Sequence, residues 1–438
     1  MFQTFKNAWK IEDLRKRILF TLFILFVFRL GAAIVVPFID GTVLAQSSLT
    51  NKDTIFGFFD LMTGGSFSKA TLFALGVSPY INASIIIQLL QVVIPSLDRL
   101  AKEGEEGRKK INKITRYSSI GISLALSVIY YVLVRSQGAL AYPNGGFSGI
   151  FSAIVIILSF TAGSTLLMWL GEQIDAKGIG NGISLIIFTG IVANLIPAFN
   201  SIVYYFQVAA GKIAGQPAQP QFFVLIPIVI IMFAAMFVLI VVTSAAERRI
   251  PVQYAKRVVG RKMYGGQTSN IPVKVNMSGV LPVIFASSFL SIFGTIKDFF
   301  GITDGFWGTF LGWFSTSGFL YAILYAFMII GFNYFYVAVQ YNPVQMANDL
   351  RKNSGTIPGI RPGKPTSDFI SRVISKITFI GGIFLVLVAT LPILITQLTK
   401  MNISLGGTSV LIIVGVALEI SNTLESYMLM RHHKGFLE

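Results

Sequence analysis

Long apolar runs alternate with short charged segments along the whole chain. Each run approaches the length that a helix needs to cross about 30 Å of hydrocarbon. The ten runs are residues 18–38, 73–94, 117–134, 151–170, 183–202, 222–242, 280–296, 319–339, 377–398 and 410–428. This pattern predicts an all-α membrane protein of ten transmembrane helices. The composition agrees, because only 12% of the 438 residues are charged, against about 25% in soluble domains.

The first run also admits a second interpretation, a cleaved signal peptide. Arg29 interrupts the run and no small-residue cleavage site follows a short apolar core, so a membrane span is favoured. Arg29 itself either extends toward the membrane surface or contacts a neighbouring helix.

Positive charge sets the expected orientation. The net charge is +16, and if the N-terminus is cytoplasmic, most of the 35 Lys and Arg residues fall in cytoplasmic segments. Basic residues concentrate on the cytoplasmic side of membrane proteins, so we expect both termini there. The basic excess therefore reflects topology, with docking of anionic lipids and partners as secondary uses, and gives no independent support to nucleic-acid binding.

Two stretches of the chain carry the same residues at the same spacing. The shared residues are Val77, Pro79, Ile81, Ala83 and Ser84, which recur as Val280, Pro282, Ile284, Ala286 and Ser287. The stretches lie in the second span of each group of five, and an odd number of spans inverts the second group. The expected organisation is a segment 1–17, a first half 18–206, an outer hinge connection 207–221, an inverted second half 222–428 and a tail 429–438.

The apolar run 71–90 contains Pro79 and two strong polar groups, Asn82 and Gln88. We expect a long helix in which neighbouring helices or a water-filled cavity satisfy these groups, since lipid offers no hydrogen-bond partner. Between the first two spans, residues 54–65 read TIFGFFDLMTGG and are too short to cross. They indicate either a re-entrant segment that plugs an enclosed cavity or an amphipathic turn on the membrane surface.

The loops 243–277 and 342–376 are long and basic. Alternating apolar and polar residues predict a hairpin in the first loop, and the second contains the turn Gly359–Gly363. Ordered projections that dock a partner and plain solvated basic loops both remain open. The turn Gly359–Gly363 followed by Lys364 is one residue short of the phosphate-loop spacing, so it does not indicate a phosphate-binding site. The glycines of 178–182 follow no predicted strand, so they indicate a tight turn and not a dinucleotide-binding loop.

Catalytic and metal-binding residues are sparse. The chain has no cysteine, and its two histidines, His432 and His433, lie in the charged tail. Of the acids, Glu172 and Asp175 lie beside a predicted span end and Glu419 lies within the last span. An intramembrane hydrolase and a secondary solute transporter therefore remain alternatives with little support. We expect no enzyme activity, no cofactor and no metal.

Aliphatic residues one helical turn apart form the remaining candidate site. Val77 and Ile81 share a face of the second span, Ile183 and Ile187 share a face of the fifth, and Ile284 is the repeat copy of Ile81. Such residues can seal a pore by excluding water, or they can be ordinary helix-packing residues.

Four motifs resemble the SecY family of bacterial protein-conducting channels. They are TLFALGVSPYINASIIIQLL at 71–90, WLGEQIDAKGIGNGISLII at 169–187, NMSGVLPVIFASS at 276–288 and PGIRPG at 358–363. The resemblance covers essentially the whole chain. It implies a clamshell of two five-helix halves through which unfolded secretory polypeptides cross the bacterial plasma membrane, and from which signal sequences leave sideways.

The resemblance also assigns residues to the parts of such a channel. The implied pore ring is Val77, Ile81, Ile183, Ile187, Ile284 and Ile412. The implied plug residues are Ile55, Phe56, Phe58, Phe59, Leu61, Met62, Gly64 and Gly65. The implied lateral-gate residues are Pro79, Asn82, Ser84, Gln88, Pro282, Ser287 and Ser288. The implied docking residues are Arg248, Arg249, Lys256, Arg257 and Arg361.

Partners follow from the same resemblance. The channel subunit would associate with SecE and SecG, and its basic loops would bind the SecA motor ATPase or the ribosome, with ribosomal RNA as the only nucleic acid. The channel itself would be passive. ATP hydrolysis in the motor, chain elongation on the ribosome or the membrane potential would supply the energy.

Overall fold

A computed structural model describes the chain at residues 6, 8–45, 60, 62–142, 146–212, 219–254, 257–259, 262–264, 268–300, 305–312, 319–399, 401 and 406–434. Each of the ten apolar runs contains a helix. The helices before the strands are α1 (Glu12–Gly31), α2 (Gly41–Ala45), α3 (Ser78–Val93), α4 (Pro95–Lys102), α5 (Glu105–Ser136), α6 (Phe147–Lys177), α7 (Gly182–Ala193), α8 (Leu195–Ala209) and α9 (Phe222–Ala245). The helices that follow are α10 (Leu281–Phe300), α11 (Gly305–Gly312), α12 (Phe319–Gln340), α13 (Pro343–Lys352), α14 (Lys364–Thr399) and α15 (Gly407–Lys434).

Several of these helices have the length and apolarity of membrane spans. Among the described residues, seven helical segments qualify, and an eighth is added if α3 and α4, which meet at a bend of 104°, count as one span. The chain is therefore a helical membrane protein. The total of ten crossings stays a prediction.

Short strands occupy the loop that follows α9. They are β1 (Glu247–Tyr254), β2 (Arg257–Val259), β3 (Lys262–Tyr264), β4 (Thr268–Lys274) and, further along the chain, β5 (Gly355–Thr356). β1 pairs antiparallel with both β4 and β5, and β2 pairs with β3. The predicted hairpin is confirmed. The all-α expectation is corrected to a helical protein with small sheets, because the alternation of period two in this loop favours strands.

The second apolar run becomes helical later than expected. Residues 71–77 form turns, and α3 begins at Ser78, which places Pro79 in its first turn. The N–H groups of a first turn have no partner within the helix, so a proline there removes no hydrogen bond. The expected second span, residues 73–94, is therefore helical only from Ser78 onward.

The first helix is shorter than the apolar run that predicted it. α1 ends at Gly31, and the chain beyond it forms isolated antiparallel bridges, Val35 with Thr71 and Ile39 with Leu140. The run predicted for residues 18–38 is thus a helix followed by an extended segment. Apolarity alone marks such a segment as buried and does not distinguish helix from strand.

The chain divides into two compact units. The first consists of Met1–Ser201, Gly294–Thr303 and Val416–Glu438. Within it, α5 packs against α3 and α6. Two hydroxyl pairs join α5 to α6, Ser123 with Ser164 at 2.9 Å and Ser127 with Thr161 at 3.0 Å. Small hydroxyl side chains let helices approach closely and bond to each other where lipid provides no partner.

The second unit consists of Ile202–Phe293 and Asp304–Gly415. Its α14 packs against α9, α12 and α13. One buried cluster joins the strands to the helices, and its members include Ile250, Val273, Val337, Ile357, Ile370 and Ile374. The basic loop that carries β1 and β4 is therefore an ordered part of this unit. The bounds of the two halves predicted from the sequence stay a prediction.

A buried asparagine links three segments of the second unit. Asn333 on α12 is 2% exposed, and its Oδ1 accepts a hydrogen bond from Ser278 Oγ at 2.5 Å. Its Nδ2 donates to the carbonyl of Thr378 on α14 at 2.8 Å. Asn333 therefore ties the turn that precedes α10 to α12 and α14.

We expect Asn333→Leu to lower the free energy of unfolding by about 1–2 kcal/mol, because it breaks two hydrogen bonds and leaves the Ser278 hydroxyl buried without its acceptor. Denaturant unfolding of the detergent-solubilised chain measures this loss. Asn422→Leu is the control, since Asn422 is exposed on α15. Equal stabilities for the two variants would contradict a structural role for Asn333.

Candidate functional site

Four aliphatic residues of the first unit lie in pairs one helical turn apart. The N–H of Ile81 donates to the carbonyl of Val77 at 3.1 Å, at the beginning of α3. Ile183 and Ile187 lie in the first two turns of α7. Val77 and Ile187 are buried, whereas Ile81 and Ile183 are half-buried. Each pair therefore forms a short aliphatic strip on its helix.

The repeated residues adopt the same local structure in the second unit. In both copies the proline is the second residue of its helix. The N–H of Ile284 donates to the carbonyl of Val280 at 3.2 Å, and Ala83 and Ala286 are both fully buried. Ile412, the remaining member of the predicted ring, is buried on α15. Closure of a ring by all six residues stays a prediction.

The polar residues predicted for a lateral gate lie on α3 and α10. Asn82 and Gln88 are exposed on α3, and Ser84 is half-buried. On α10, Ser287 Oγ donates to the carbonyl three residues before it at 2.9 Å, and the side chain of Ser288 lies outside the described residues. Both amides are thus exposed in this chain, and the expectation that neighbouring helices or a water-filled cavity satisfy them stays a prediction.

Only the end of the predicted plug segment is described. Ile55, Phe56, Phe58, Phe59 and Leu61 lie outside the described residues. Met62 is buried, and Gly64 and Gly65 adopt the left-handed conformation at φ values of 69° and 81°. Burial raises the pKa of the Asp60 carboxyl, and a hydrogen bond from the N–H of Ser68 at 2.7 Å partly offsets this effect.

Arg29 contacts this segment. Its Nη1 lies 3.2 Å from the position that a Cβ atom on Gly64 would occupy. Arg29 is also in the last turn of α1, where a cation is favoured by the helix dipole. Arg29 therefore contacts a neighbouring segment, but the residue as a whole is exposed and the contact is not a buried one.

The predicted docking residues lie on the strands and turns of the second unit. Arg248 and Arg249 are exposed on β1, and Arg249 Nε bonds Glu247 Oε1 at 2.7 Å. Arg361 is exposed in the turn between Gly359 and Gly363. The side chains of two further docking residues, Lys256 and Arg257, lie outside the described residues.

The structure joins the two basic loops, which sequence reasoning treated as separate. β5 belongs to the loop 342–376 and pairs with β1 of the loop 243–277, Gln253 with Thr356 and Tyr254 with Gly355. β5 is only two residues long, so no periodic pattern marks it. Both loops therefore belong to one folded part of the second unit.

Sequence reasoning also missed the residues that fix the beginning of α7. Arg17 Nη1 donates to the carbonyl of Gly178 at 3.3 Å, and its guanidinium lies 5.6 Å from the centroid of the Tyr427 ring. The N–H of Ile179 donates to Thr21 Oγ1 at 3.1 Å. The glycine turn 178–182 is thus held by α1 and α15, and no local signal in the sequence indicates these distant contacts.

Comparison with known proteins gives consistent matches. The family model described as SecY matches residues 71–421. The protein translocase subunit SecY of Thermotoga maritima is 41% identical over 444 residues, covering 100% of this chain and 98% of that protein. The protein of the same description from Halalkalibacterium halodurans is 40% identical over 444 residues, covering 100% of both.

Solved structures share the fold. A structure described as that of a protein conducting channel has a TM-score of 0.63 and 21% identity, covering 94% of this chain and 92% of its own. A SecY structure described in terms of a plug domain that stabilises the closed state has a TM-score of 0.60 and 21% identity, with the same coverage. Sec61 from a canine ribosome-channel complex has a TM-score of 0.58 and 20% identity, also with this coverage.

Proposed function

Since the chain belongs to the SecY family and is a protein translocase channel subunit rather than a catalytic enzyme, we propose that it conducts unfolded secretory polypeptides across the bacterial plasma membrane. The observation that carries this proposal is the set of aliphatic pairs on α3 and α7, of which the α3 element is repeated with the same local structure at the beginning of α10. Both termini are cytoplasmic in this proposal, in keeping with the charge distribution.

The proposed seal is an aliphatic constriction formed by Val77, Ile81, Ile183, Ile187, Ile284 and Ile412. Branched aliphatic side chains exclude water from a narrow passage, yet they hold no transiting chain by a specific polar contact. The segment 54–65 acts as the plug on the outer side. A solved relative is described as having a plug domain that maintains a membrane seal, which supports this assignment.

The proposed lateral gate lies between the second and third predicted spans on one side and the seventh and eighth on the other. Signal sequences and membrane helices leave through it into the bilayer. The exposed amides Asn82 and Gln88 on α3 support the proposal, because lipid cannot satisfy an amide and a polar passage or a partner can.

The proposed partners bind two kinds of surface. SecE clamps the two halves from the side opposite the gate, with SecG as an accessory subunit. The joined basic loops bind the SecA motor ATPase or, through ribosomal RNA, the ribosome. Exposed arginines on β1 and in the turn 359–363 supply the complementary charge, and the likeness to Sec61 from a ribosome-channel complex supports the ribosome as a partner.

In this proposal the chain catalyses no reaction when the channel opens. A signal helix that binds the open gate more tightly than the closed gate shifts the equilibrium toward opening by the difference in its affinities. The motor, the ribosome or the membrane potential then drives the polypeptide through.

Site-specific crosslinking tests the path of the polypeptide. The chain contains no cysteine, so Ile81→Cys and Ile187→Cys each introduce a single thiol. We expect both to form a disulfide with a cysteine placed in a secretory protein that is stalled halfway across the membrane. Leu158→Cys is the control, because Leu158 is 58% exposed on an apolar helix, α6, and is expected to face lipid.

Crosslinks at the two isoleucine positions, with none at Leu158, are the expected result. If a demonstrably stalled substrate reaches neither position, the proposed pore is wrong. Equal crosslinking at all three positions would also overturn it, since proximity would then not depend on the aliphatic strips.

A further inference from the structure

The sheet of the second unit has two free edges. Its strands lie in the order β4-β1-β5, so the outer side of β4 faces no other strand among the described residues. β5 covers the other side of β1 only at Gln253 and Tyr254, where Thr356 Oγ1 donates to the carbonyl of Gln253 at 3.3 Å. A free edge presents backbone N–H and C=O groups to which an extended polypeptide can bond as a further strand.

The hydrogen bonds between β1 and β4 show which residues point outward. The N–H of Val275 donates to the carbonyl of Ala246 at 3.0 Å, in continuation of the register that pairs Glu247 with Lys274. In an antiparallel ladder, the backbone groups of successive residues point to opposite edges. The residues whose backbone groups point away from the partner strand are therefore Glu247, Arg249, Pro251 and Gln253 on β1 and Thr268, Asn270, Pro272 and Lys274 on β4.

A proline interrupts the outward positions on each edge. Pro251 on β1 and Pro272 on β4 are both exposed. Neither has an N–H to offer to an added strand, and the proline ring occupies the space where that N–H would lie. Because of these prolines, no more than two successive outward donors are left free on either strand.

The sheet is anchored to the helices of the second unit. Ile250 and Val273, one on each strand, lie in the same buried cluster as Val337 of α12 and Ile370 and Ile374 of α14. The opposite face of β1 and β4 is exposed. The two edges are therefore a fixed feature of this loop, and any chain that passes the loop meets them.

We propose that Pro251 and Pro272 prevent extended polypeptides from adding to this sheet as a further strand. The inference rests on the proposed function, in which unfolded secretory chains approach the channel from the side of the loop 243–277. An uninterrupted sheet edge would hold such chains through backbone hydrogen bonds, whatever their sequence. With both edges interrupted, the loop can bind folded partners through its side chains while unfolded substrates pass without being retained.

The test variant is Pro272→Thr, which restores an N–H within the β4 edge. Binding of a short fluorescent peptide of alternating Val and Thr residues to the full-length, detergent-solubilised chain is measured by fluorescence anisotropy. We expect the variant to bind this peptide about tenfold more tightly than the unchanged chain does, the effect of one added hydrogen bond of about 1.4 kcal/mol. Pro251→Thr restores the donor on the opposite edge, and we expect a similar gain in affinity.

Asn270→Thr is the matched control, because Asn270 points outward on the same edge and already has its N–H. It introduces the same side chain without a new donor, so we expect the peptide affinity to stay unchanged. A second peptide, with a methyl group on every backbone nitrogen, cannot lie alongside a strand. We expect it to bind the proline variants no better than the unchanged chain.

Three results would overturn the proposal: no gain in affinity for either proline variant, an equal gain for Asn270→Thr, or an equal gain with the methylated peptide. Self-association of a proline variant without a gain in peptide affinity, detected by size-exclusion chromatography, would also overturn it. The edges would then be closed against other copies of this chain and not against substrates. The binding assay requires no conduction, so these results leave the proposed channel standing, and the crosslinking test decides that function separately.

Discussion

Ile81→Asn is expected to make the channel leak ions and to let proteins with defective signal sequences pass. Ile81 is half-buried at the beginning of α3, one turn from Val77. An asparagine amide there binds water that an isoleucine repels, so a narrow passage becomes wetted and a small ion can cross. We expect at least a tenfold rise in ion flux, roughly the effect of removing 1.4 kcal/mol from the closed state.

Ile284→Asn is expected to act in the same way, because Ile284 occupies the equivalent position at the beginning of α10. The matched controls are Ile81→Leu and Ile284→Leu, which keep an aliphatic side chain of the same volume and should retain the seal. Ion flux into vesicles and export of a reporter with a mutated signal sequence are the two measurements. Unchanged flux together with unchanged signal selectivity in both asparagine variants would argue that these residues only pack helices.

Arg361→Glu is expected to abolish export driven by the motor ATPase while the chain still folds and enters the membrane. The Arg361 side chain is exposed in the turn between Gly359 and Gly363. Arg361 contributes to the turn through its backbone, because its carbonyl accepts a hydrogen bond from Thr366 Oγ1 at 2.8 Å. The substitution therefore preserves the turn and replaces attraction for an acidic partner surface by repulsion.

This effect is measured as export of a secretory protein into inverted membrane vesicles, with the motor and ATP supplied. We expect the export rate to fall at least about a hundredfold, which corresponds to a loss of about 2.7 kcal/mol in partner binding. Lys352→Glu, an exposed residue of the same loop, makes the same change of charge and should retain most of the activity. Normal export by the Arg361 variant, or an equal loss for both variants, would remove the special role of Arg361 and leave only general basic charge.

Much of the helical architecture could be predicted, because the pattern of long apolar runs is read directly from the sequence. The limits appear at helix ends. Residues 71–77 are as apolar as a span but form turns, and Pro79 begins a helix instead of interrupting one. Apolarity reports burial, while the beginning of a helix depends on local backbone geometry and on segments such as Val35, which pairs with Thr71.

The candidate site could likewise be predicted only in part from the sequence. The aliphatic pairs follow from a spacing of four residues and are visible in the sequence. The close approach of Gly190 to the carbonyl of Met62 is not visible in the sequence, because backbone packs against backbone there between residues that are distant along the chain. The pairing of β1 with β5 was missed for a related reason, since a two-residue strand carries too few positions to show a period.

Residues near both ends of the sequence form one buried cluster in the first unit, and this cluster constrains how the protein folds during synthesis. Ala8 and Leu14 near the N-terminus pack in one buried cluster with Leu424 near the C-terminus, and Arg17 lies over the ring of Tyr427. The ribosome adds about 5–20 residues each second, so the first partner waits roughly 20–80 s for the last to be synthesised. During that interval the cluster near the N-terminus lacks the packing contact of Leu424. Until the segment around Leu424 is synthesised, the apolar face of α1 in this cluster must be covered by lipid or by another protein.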